Sequence, residues 1–595
     1  MQYRQNAKRD KAHAHIIGRE EWVYSNHCLS MKFVSEFLDG FRPAEEHYGL
    51  EPSYGGDVAY DDGKPSVLGE MDYANATMTV ETGNGGQAVI PEKTALKRNL
   101  HSRHIQFIAL GGSIGTGLFM SSGPDLAQGG PASIVINFSL VGFMIISVVF
   151  ALGELCSVLP VTGAFSTYSA RFIDPAWGFA MGYNYYLQWL IVLPLEFTVS
   201  VIVLGYSDWA KHTSVVPKGV WVLIFLSVIV FINLFGVKGY GEFEFAATFI
   251  KVITITGFII FGIVATCGGV SGGKFDTYQG ARLWHDPGAF NNGFKGFCYI
   301  FNTAAFAFAG TELVGLAAAE TANPRKTLPK AAKQVCVRVS LFYIVSLLLF
   351  TFLVPYNDPR LQSDSGPNTS PFVIALSDAG QRGLASVVNV VILISTLSVA
   401  NSAAFGSSRT LLALSQQGLA PRFLSYVDRQ GRPLLCLAIS LAFGALAFLI
   451  YSSNEGVIFD WLLGLTALST IFSWGTICFA HIRFRAAWKL QGNSLQALPW
   501  VSPLGISGSI FGFCFNFLVF IANFYVYIWP IGEGSMSKKD RAYHFPEHAR
   551  GACCACPFPF LENYQADTLR SPGRNGRANG TSRCYFGRSV RTRAR

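Results

Sequence analysis

Long apolar runs separated by short polar stretches dominate the middle of this chain. Each run has about 20 mostly apolar residues, the length that a helix needs to cross a hydrocarbon core roughly 30 Å thick. Eleven runs, numbered here span one to span eleven, are centred near residues 113, 142, 193, 228, 255, 307, 345, 392, 443, 468 and 517. The pattern predicts an all-α integral membrane protein.

Two of these runs are interrupted by glycine where an ordinary membrane helix is continuous. Span one, Ile105–Met120, has four glycines within Gly111–Gly117, and span six, Phe297–Leu316, contains Gly310. Unwound backbone is stable in hydrocarbon only where it lines a protected cavity or is buried in protein. A pair of interrupted helices in two halves of a chain is typical of secondary transporters, although glycine also permits close helix packing.

The two breaks offer complementary groups to a small zwitterion. Unwinding in span one exposes N–H groups at the positive end of a helix dipole, which favours a carboxylate. The break in span six frees carbonyl oxygens, which favour an ammonium group. Both groups occur together in an α-amino acid. The predicted substrate-binding residues are Gly112, Ser113, Ile114, Gly115, Thr116 and Gly117 in span one, and Phe308, Ala309, Gly310 and Thr311 in span six.

Three ionisable residues in or beside the spans are predicted to couple transport to protons. Glu196 lies in span three, where a charged carboxylate costs on the order of 3 kcal/mol at the span centre, so we expect it to be protonated, paired or functional. Lys251 in span five either takes the place of a coupling cation or extends its amine to the nearer membrane surface. Glu312 lies at the second break, where it either takes part in proton movement or caps free amides.

Positive charges near the span ends predict the orientation. Lys97, Arg98 and Arg103 precede span one, which places the N-terminus in the cytoplasm. The same rule places the segments after spans six, eight and ten on that side. These segments carry Arg325, Lys326, Lys330, Lys333 and Arg338, then Arg409, Arg422, Arg429 and Arg432, then Arg483, Arg485 and Lys489.

Composition indicates a membrane domain between two polar tails. Half of the residues are hydrophobic and 14% are charged, against about 25% charged in soluble proteins. Residues 1–95, with nine Lys/Arg and fifteen Asp/Glu, predict a disordered cytoplasmic tail. Residues 535–595, with twelve Lys/Arg and four Asp/Glu, lack an apolar run. We therefore predict a membrane domain over 96–530 and an aberrant basic tail over 531–595 in place of a twelfth span.

Other classes of function have weaker support in the sequence. The twelve cysteines show no paired spacing, and we find no nucleophile–base pair, metal-ligand spacing or phosphate loop. We predict no enzyme activity, cofactor, metal or nucleic-acid partner, so that the partners are the substrate, the proton and membrane lipid. A sodium-coupled carrier and an amino-acid-sensing receptor remain alternatives. The sodium site would use carbonyls of the first break together with the hydroxyls of Ser395, Thr396 and Ser398 in span eight.

Substrate preference is predicted from polar residues in two spans. They are Asn184, Gln188 and Trp189 in span three, and Thr466, Ser469 and Thr470 in span ten. A mixed polar pocket favours a broad range of neutral amino acids, with basic amino acids as the alternative. Phe301, Phe306 and Phe308 beside the second break either cover the substrate side chain or pack against neighbouring spans.

Five long blocks resemble one known family. They are Leu96–Gly123, Ala151–Gly182, Phe306–Ala331, Val399–Pro421 and Leu468–Gly492. Together they resemble, in family order, the fungal amino-acid permeases, the yeast amino-acid transporter family within the amino acid–polyamine–organocation superfamily. The blocks extend across spans one to eleven, roughly residues 96–530.

The resemblance implies an inverted repeat of spans one to five and six to ten, with accessory spans, and proton-coupled amino-acid uptake at the plasma membrane. It implies that Gly111–Gly117 binds the substrate carboxylate and Phe308–Thr311 its amine. Glu196 matches the buried glutamate of the family, and Lys251 resembles the lysine that stands in for a sodium ion in proton-coupled relatives. The chain departs from the family after Pro530, where the twelfth span is absent.

Overall fold

Helices make up the membrane part of the protein. The structure, a computed structural model, describes residues 69–72, 77–82, 86–91, 100, 102–161, 163–206, 209, 212–321, 324–361, 370–451, 455–529 and 531. Two predictions concern residues outside these ranges: the one for residues 1–68, and the one of a basic tail in place of a twelfth span.

A small antiparallel sheet lies within the segment for which the sequence predicts disorder. Its strands, in spatial order, are Gly69–Asp72, Thr77–Thr82 and Gly86–Pro91. Met78 of the central strand pairs with Met71 on one side and with Ile90 on the other. Threonine and apolar residues alternate along the central strand, a pattern that favours β-structure. Disorder in residues 1–95 outside these strands stays a prediction.

All eleven apolar runs fall on helices of the described chain. Within the described residues, eight helices are long and apolar enough to cross a membrane: Ser122–Val158, Pro175–Leu204, Gly236–Thr266, Gly293–Leu316, Lys326–Leu353, Arg382–Gln416, Trp461–Leu490 and Gly505–Ile528. Shorter apolar helices, Lys218–Leu234 and Leu434–Leu449, occupy spans four and nine. Span one is divided between Ser102–Gly111 and Thr116–Phe119. Length and composition alone do not show that a helix crosses the membrane, so the count of eleven spans remains a prediction.

Shorter elements complete the bundle. Span six consists of the helices Gly293–Phe308 and Leu313–Leu316. Span seven consists of the helix Pro324–Val337, a π-helical turn Arg338–Val345 and the helix Ser346–Leu353. The helix that contains span ten is Glu455–Leu490. The connecting helices are Ala164–Phe172, Arg282–His285, Ala317–Glu320, Pro359–Leu361, Pro371–Asp378, Arg422–Ser425 and Leu495–Ala497.

The packing of the spans places both breaks in the interior. Spans three and eight pack along much of their length, span one contacts spans five and seven, and span six contacts spans two and ten. Gly406 of span eight permits a close approach of span three, because a methyl group there would lie 2.9 Å from the Trp189 ring. Interiors are packed to such density that these contacts hold the two breaks in place.

Large apolar side chains cover the outside of several spans. Phe231 in span four, Ile260 in span five and Phe517 in span eleven are each more than 60% exposed. Exposed apolar surface of this extent is unfavourable in water and is the surface that a lipid-facing helix presents. The bundle is therefore a multi-pass membrane domain.

Four arginines that the charge rule counts as loop charges are buried. Three form ion pairs: Arg409 with Glu320 at 3.1 Å, Arg432 with Asp428 at 2.6 Å and Arg485 with Glu154 at 2.5 Å. The fourth, Arg338, donates to the carbonyl of Ala109. A buried guanidinium requires such partners, so these four arginines face the interior and not a surface loop. A cytoplasmic N-terminus stays a prediction.

Candidate functional site

Span one unwinds at its glycines. Its first helix ends at Gly111, a new helix begins at Thr116, and all residues of Gly111–Gly117 are buried. The first N–H groups of a helix have no acceptor within it. The break thus presents buried N–H donors at a helix start, the groups on which the predicted carboxylate site depends.

Span six unwinds at Ala309 and Gly310. Ala309 has ψ 147°, and Gly310 has φ +92°, a conformation that favours glycine. The Phe308 carbonyl accepts from the Thr311 hydroxyl at 2.6 Å, and the Gly310 carbonyl accepts from the Leu313 N–H at 3.2 Å. Two of the predicted ammonium acceptors therefore already have donors within the protein.

The two breaks lie against each other. A methyl group at Gly310 would lie 3.2 Å from the Gly112 carbonyl oxygen and 3.3 Å from the Trp189 ring. One at Gly117 would overlap the backbone of Ala307 in span six. The structure thus brings the two predicted halves of the substrate site together, with Trp189 at their edge.

A Gly310→Ala carrier is expected to lose most of its uptake. Its Cβ adds strain at φ +92° and meets both span one and Trp189, a combination that costs about 1–3 kcal/mol. Gly272→Ala is the matched control, since Gly272 has φ +91° but open space around it. Initial rates of labelled amino-acid uptake, normalised to the amount of carrier in the membrane, measure both variants. Equal loss in both would show that backbone strain alone is responsible.

Span seven joins the two breaks through Tyr343, which sequence reasoning missed. Tyr343 lies in the π-helical turn Arg338–Val345, and its hydroxyl is 2.8 Å from the carbonyl oxygens of Ser113 and Ala307. Its ring stacks on Phe308 with a centroid distance of 4.5 Å. The only signal in the sequence is a polar residue within an apolar run, and many such residues merely pack.

Arg338 in the same turn binds both breaks from the other side. It is fully buried and donates to the Ala109 carbonyl in span one and to the Thr311 hydroxyl in span six. The Ala109 carbonyl lies in the last turn of a half-helix, where a cation stabilises the negative end of the dipole. Because Thr311 accepts from Arg338 and donates to Phe308, its hydroxyl is committed to the protein.

Glu196 lies beside the first break. Its side chain is fully buried, and the Thr116 hydroxyl donates to its carboxyl oxygen Oε2 at 2.5 Å. This contact joins a candidate proton carrier to a predicted substrate-binding residue. A change in protonation at Glu196 therefore alters the hydrogen bonding of the break itself.

Lys251 lies inside the bundle. Its ammonium donates to the Gly111 carbonyl at 3.2 Å and to the Ser398 hydroxyl at 2.8 Å, and its side chain is fully buried. The alternative in which Lys251 extends to the membrane surface is wrong. The amine instead connects the end of the first half of span one to span eight.

Glu312 caps the second break. The Gly310 N–H donates to Oε1 at 3.2 Å, and the Trp474 indole donates to Oε2 at 3.1 Å. Both oxygens of this buried carboxyl therefore have donors. Among the described residues, Glu312 shares no hydrogen bond with Glu196 or Lys251, so the predicted proton-coupling residues do not form one hydrogen-bonded cluster.

Most of the predicted polar pocket is paired internally. Asn184 donates to the Ser469 carbonyl at 3.0 Å, and the Ser469 hydroxyl donates back to the Asn184 side chain at 2.8 Å. The Thr470 hydroxyl donates to the Thr466 carbonyl at 2.8 Å within span ten. The bonds between Asn184 and Ser469 join spans three and ten. The structure therefore assigns Asn184, Ser469 and Thr470 to helix packing, whereas these bonds do not involve Gln188 or Trp189.

The aromatic residues near the second break also pack. Phe301 contacts Phe515 of span eleven at a centroid distance of 6.0 Å. Phe308 stacks on Tyr343, and Phe306 is buried. Trp189, which touches the positions of Gly310 and Gly406, is a further aromatic ring that borders the second break.

Several contacts join neighbouring chain segments at the end of the bundle where Leu100 lies. The Leu100 N–H donates to the Glu320 carbonyl at 3.1 Å, and the Glu320 side chain pairs with Arg409 at 3.1 Å. Arg409 also lies over the Phe405 ring, 4.2 Å from its centroid. Burial raises the pKa of Glu320 above its usual range, against the opposing effect of Arg409. Chain segments before span one and after span six are thus tied to span eight.

Known proteins place this architecture in a family. A sequence model described as Amino acid permease matches residues 104–545, which extends past the predicted domain end at 530. General amino-acid permease GAP1 of Saccharomyces cerevisiae is 51% identical over 453 residues, 75% of this chain and 74% of that protein. Cationic amino acid transporter 1 of Schizosaccharomyces pombe is 48% identical over 444 residues, 74% of each.

Among solved structures, this chain resembles Mhp1, a nucleobase-cation-symport-1 family transporter in a closed conformation with bromovinylhydantoin bound. The TM-score is 0.43 at 12% identity, over 74% of this chain and 95% of that one. This likeness is too weak to bear on the repeat layout. The relatives in sequence are permeases and transporters, which confirms the prediction that the chain is not an enzyme. A family match over most of the chain, with two apposed broken helices inside a bundle of apolar spans, shows that this membrane protein belongs to the amino acid permease family.

Proposed function

We propose that this protein carries amino acids into the cell across the plasma membrane together with protons, by alternating access, with a broad preference for neutral amino acids. One observation carries the proposal: the two breaks lie against each other, and the buried carboxyl of Glu196 is bonded to Thr116 inside the first break. Substrate and proton would thus be bound at adjoining groups.

The substrate would bind through its zwitterionic head. The N–H groups at the start of Thr116–Phe119 suit the carboxylate, because they are buried donors at the positive end of a helix. The carbonyls of Phe308 and Gly310 already accept hydrogen bonds. We therefore expect the Ala309 carbonyl to be the principal acceptor for the ammonium group.

Proton coupling is favoured over sodium coupling by the position of Lys251. Its ammonium lies between the Gly111 carbonyl and the Ser398 hydroxyl, two of the oxygens that the sodium alternative would need. The Thr396 hydroxyl lies 2.7 Å from that of Ser200. A fixed positive charge among these oxygens repels a second cation at short range.

Neutral substrates are favoured by the state of Glu312. Both of its oxygens already accept hydrogen bonds from the protein, so no free carboxylate of this residue awaits a basic side chain. Uptake of basic amino acids is the second candidate, because one relative is named Cationic amino acid transporter 1. Glu196 is the acidic group that a basic side chain would then contact.

Radiolabelled amino-acid uptake in yeast cells that lack their own permeases tests the proposal. The full chain is expressed, its arrival at the plasma membrane is followed by surface labelling, and uptake is measured at external pH 5 and pH 7.5 with and without sodium. We expect uptake to be higher at pH 5, to be independent of sodium, and to be reduced more by neutral than by basic competitors.

Three results would contradict parts of this proposal. Sodium-dependent uptake would remove the argument from Lys251. Stronger competition by arginine or lysine than by neutral amino acids would favour the basic alternative. Surface-located protein that binds an amino acid without transporting it would identify a receptor instead of a carrier.

A further inference from the structure

A second buried acid lies next to Lys251, outside the residues assigned above. Glu244 is in span five, two turns before Lys251, and its side chain is fully buried. The Lys251 ammonium donates to the Ser398 hydroxyl at 2.8 Å, and that hydroxyl donates to Glu244 Oε2 at 2.8 Å. Asn401 and Ser402 lie close to the same carboxyl group.

The bridge through Ser398 suits opposite charges at its two ends. An ammonium group only donates, and an ionised carboxylate only accepts. Ser398, with one proton, accepts from Lys251 and passes its own hydrogen bond to Glu244. This arrangement fits a charged lysine joined to an ionised glutamate through one hydroxyl.

The remaining charged groups nearby are paired elsewhere. The titratable or charged groups at Glu244 itself are Lys251 and Tyr240 in span five. Glu196 of span three lies near Lys251, Glu320 and Arg409 lie near Tyr240, and His104 of span one lies near Gly241. Arg409 pairs with Glu320 at 3.1 Å, and His104 lies 3.2 Å from Glu242. One cation, Lys251, therefore faces two buried carboxyl groups.

Two buried carboxylates and one ammonium would carry a net negative charge if all three were ionised. An uncompensated charge in a low-dielectric interior is strongly unfavourable. The neutral combination protonates one of the carboxyl groups. Glu244 is joined to Lys251 through Ser398, whereas Glu196 is bonded to Thr116 in the first break, so the proton belongs on Glu196.

We propose that Glu244 is the permanent counter-ion of Lys251, held through Ser398, and that it leaves Glu196 free to gain and lose the transported proton. Glu244 is thus a positioning residue for proton coupling, and this role rests on the proton symport proposed above. Without Glu244, Lys251 has Glu196 as its remaining carboxylate partner, and attraction to the lysine holds Glu196 in its ionised form.

The test separates proton coupling from transport itself. Glu244→Gln carrier in membrane vesicles is assayed for exchange of labelled against unlabelled amino acid without a proton gradient, and for net uptake driven by acid outside. We expect exchange within about twofold of the unchanged carrier, and loss of the stimulation by acid, since one proton per cycle no longer moves. Proton entry during substrate uptake, followed with an internal pH dye, is expected to disappear.

Matched variants exclude trivial explanations. Glu242→Gln, two residues earlier in the same helix and 42% exposed, removes a carboxylate that contacts Arg103 and His104 but not the Ser398 bridge, and is expected to keep the stimulation by acid. Glu244→Asp is expected to restore part of the acid stimulation. If Glu244→Gln fails to reach the membrane, Ser398→Ala interrupts the same bridge without removing a carboxylate, and is expected to weaken the stimulation by acid.

Other outcomes would overturn the proposal. Acid stimulation that is unchanged in Glu244→Gln would show that the bridge does not determine the protonation of Glu196. The same result in Ser398→Ala, where that variant is the one tested, would have the same meaning. Loss of exchange together with net uptake, at unchanged protein level, would assign Glu244 to the structure of the bundle. Absence of acid stimulation in the unchanged carrier would instead refute proton symport itself, and this proposal with it.

Discussion

Uptake by a Gly117→Val carrier is expected to fall by about 100-fold or more while the amount of protein in the membrane stays within about twofold. A side chain at Gly117 overlaps the backbone of Ala307 in span six. Backbone atoms of a packed helix do not rotate away as a side chain does, so the two breaks must separate. A displacement near 1 Å of groups that bind the substrate head accounts for the expected loss.

Gly257→Val is the control for this prediction. Gly257 lies in span five, and a methyl group there meets nothing within 4 Å, so the same change adds volume at a lipid-facing position. We expect normal uptake from it. Initial rates at several substrate concentrations, together with surface labelling, distinguish the two variants. Normal uptake by Gly117→Val would contradict the assignment of the apposed breaks as the substrate site.

The breaks themselves were predictable because the signal is local. A cluster of glycines inside an apolar run violates the rule that backbone polar groups in hydrocarbon are paired within a helix, and it does so within a few residues. The close approach of Gly310 to the Gly112 carbonyl was implied only by the chemistry of the substrate. Its distance depends on how spans one and six cross, which no local pattern contains.

Glu244 shows why the rest of the site was missed. Glu242 and Glu244 are two residues apart near one end of span five, and both look like surface charges in the sequence. On a helix they lie about 200° apart, so one is 42% exposed and the other fully buried. Only the rotation of the helix, set by packing against spans one and eight, decides which acid faces Lys251.

Buried arginines show the same limit for the charge rule. The rule counts every lysine and arginine near a span end, whether the side chain is buried or exposed. It counts Arg409 and Arg338, yet each contacts groups inside the bundle. A carboxylate elsewhere in the chain, such as Glu320, is not recognisable as a partner until the spans are packed. The rule retains its value for residues that remain at the surface.

Replacing Glu196 by glutamine is expected to abolish the dependence of uptake on external pH. The side chain keeps its shape and its contact with Thr116, but it no longer gains or loses a proton. In the unchanged carrier, each pH unit of difference across the membrane adds about 1.4 kcal/mol of driving force per proton. Without proton coupling, uptake at pH 5 and at pH 7.5 should be equal, and accumulation above the external concentration should cease.

The control for this variant is Thr198→Val in the same span. The Thr198 hydroxyl donates to the Pro194 carbonyl of its own helix at 3.0 Å, so its removal changes a buried polar group without touching the first break. We expect it to keep the higher uptake at pH 5.

The decisive comparison is between Glu196→Gln and Glu244→Gln. The former lacks the group that we assign to carrying the proton, and the latter lacks the group that we assign to neutralising Lys251. Both should exchange amino acids without a gradient, and neither should respond to acid. If Glu196→Gln still accumulates substrate at low pH, another group carries the proton, and the charge assignment of the whole cluster is wrong.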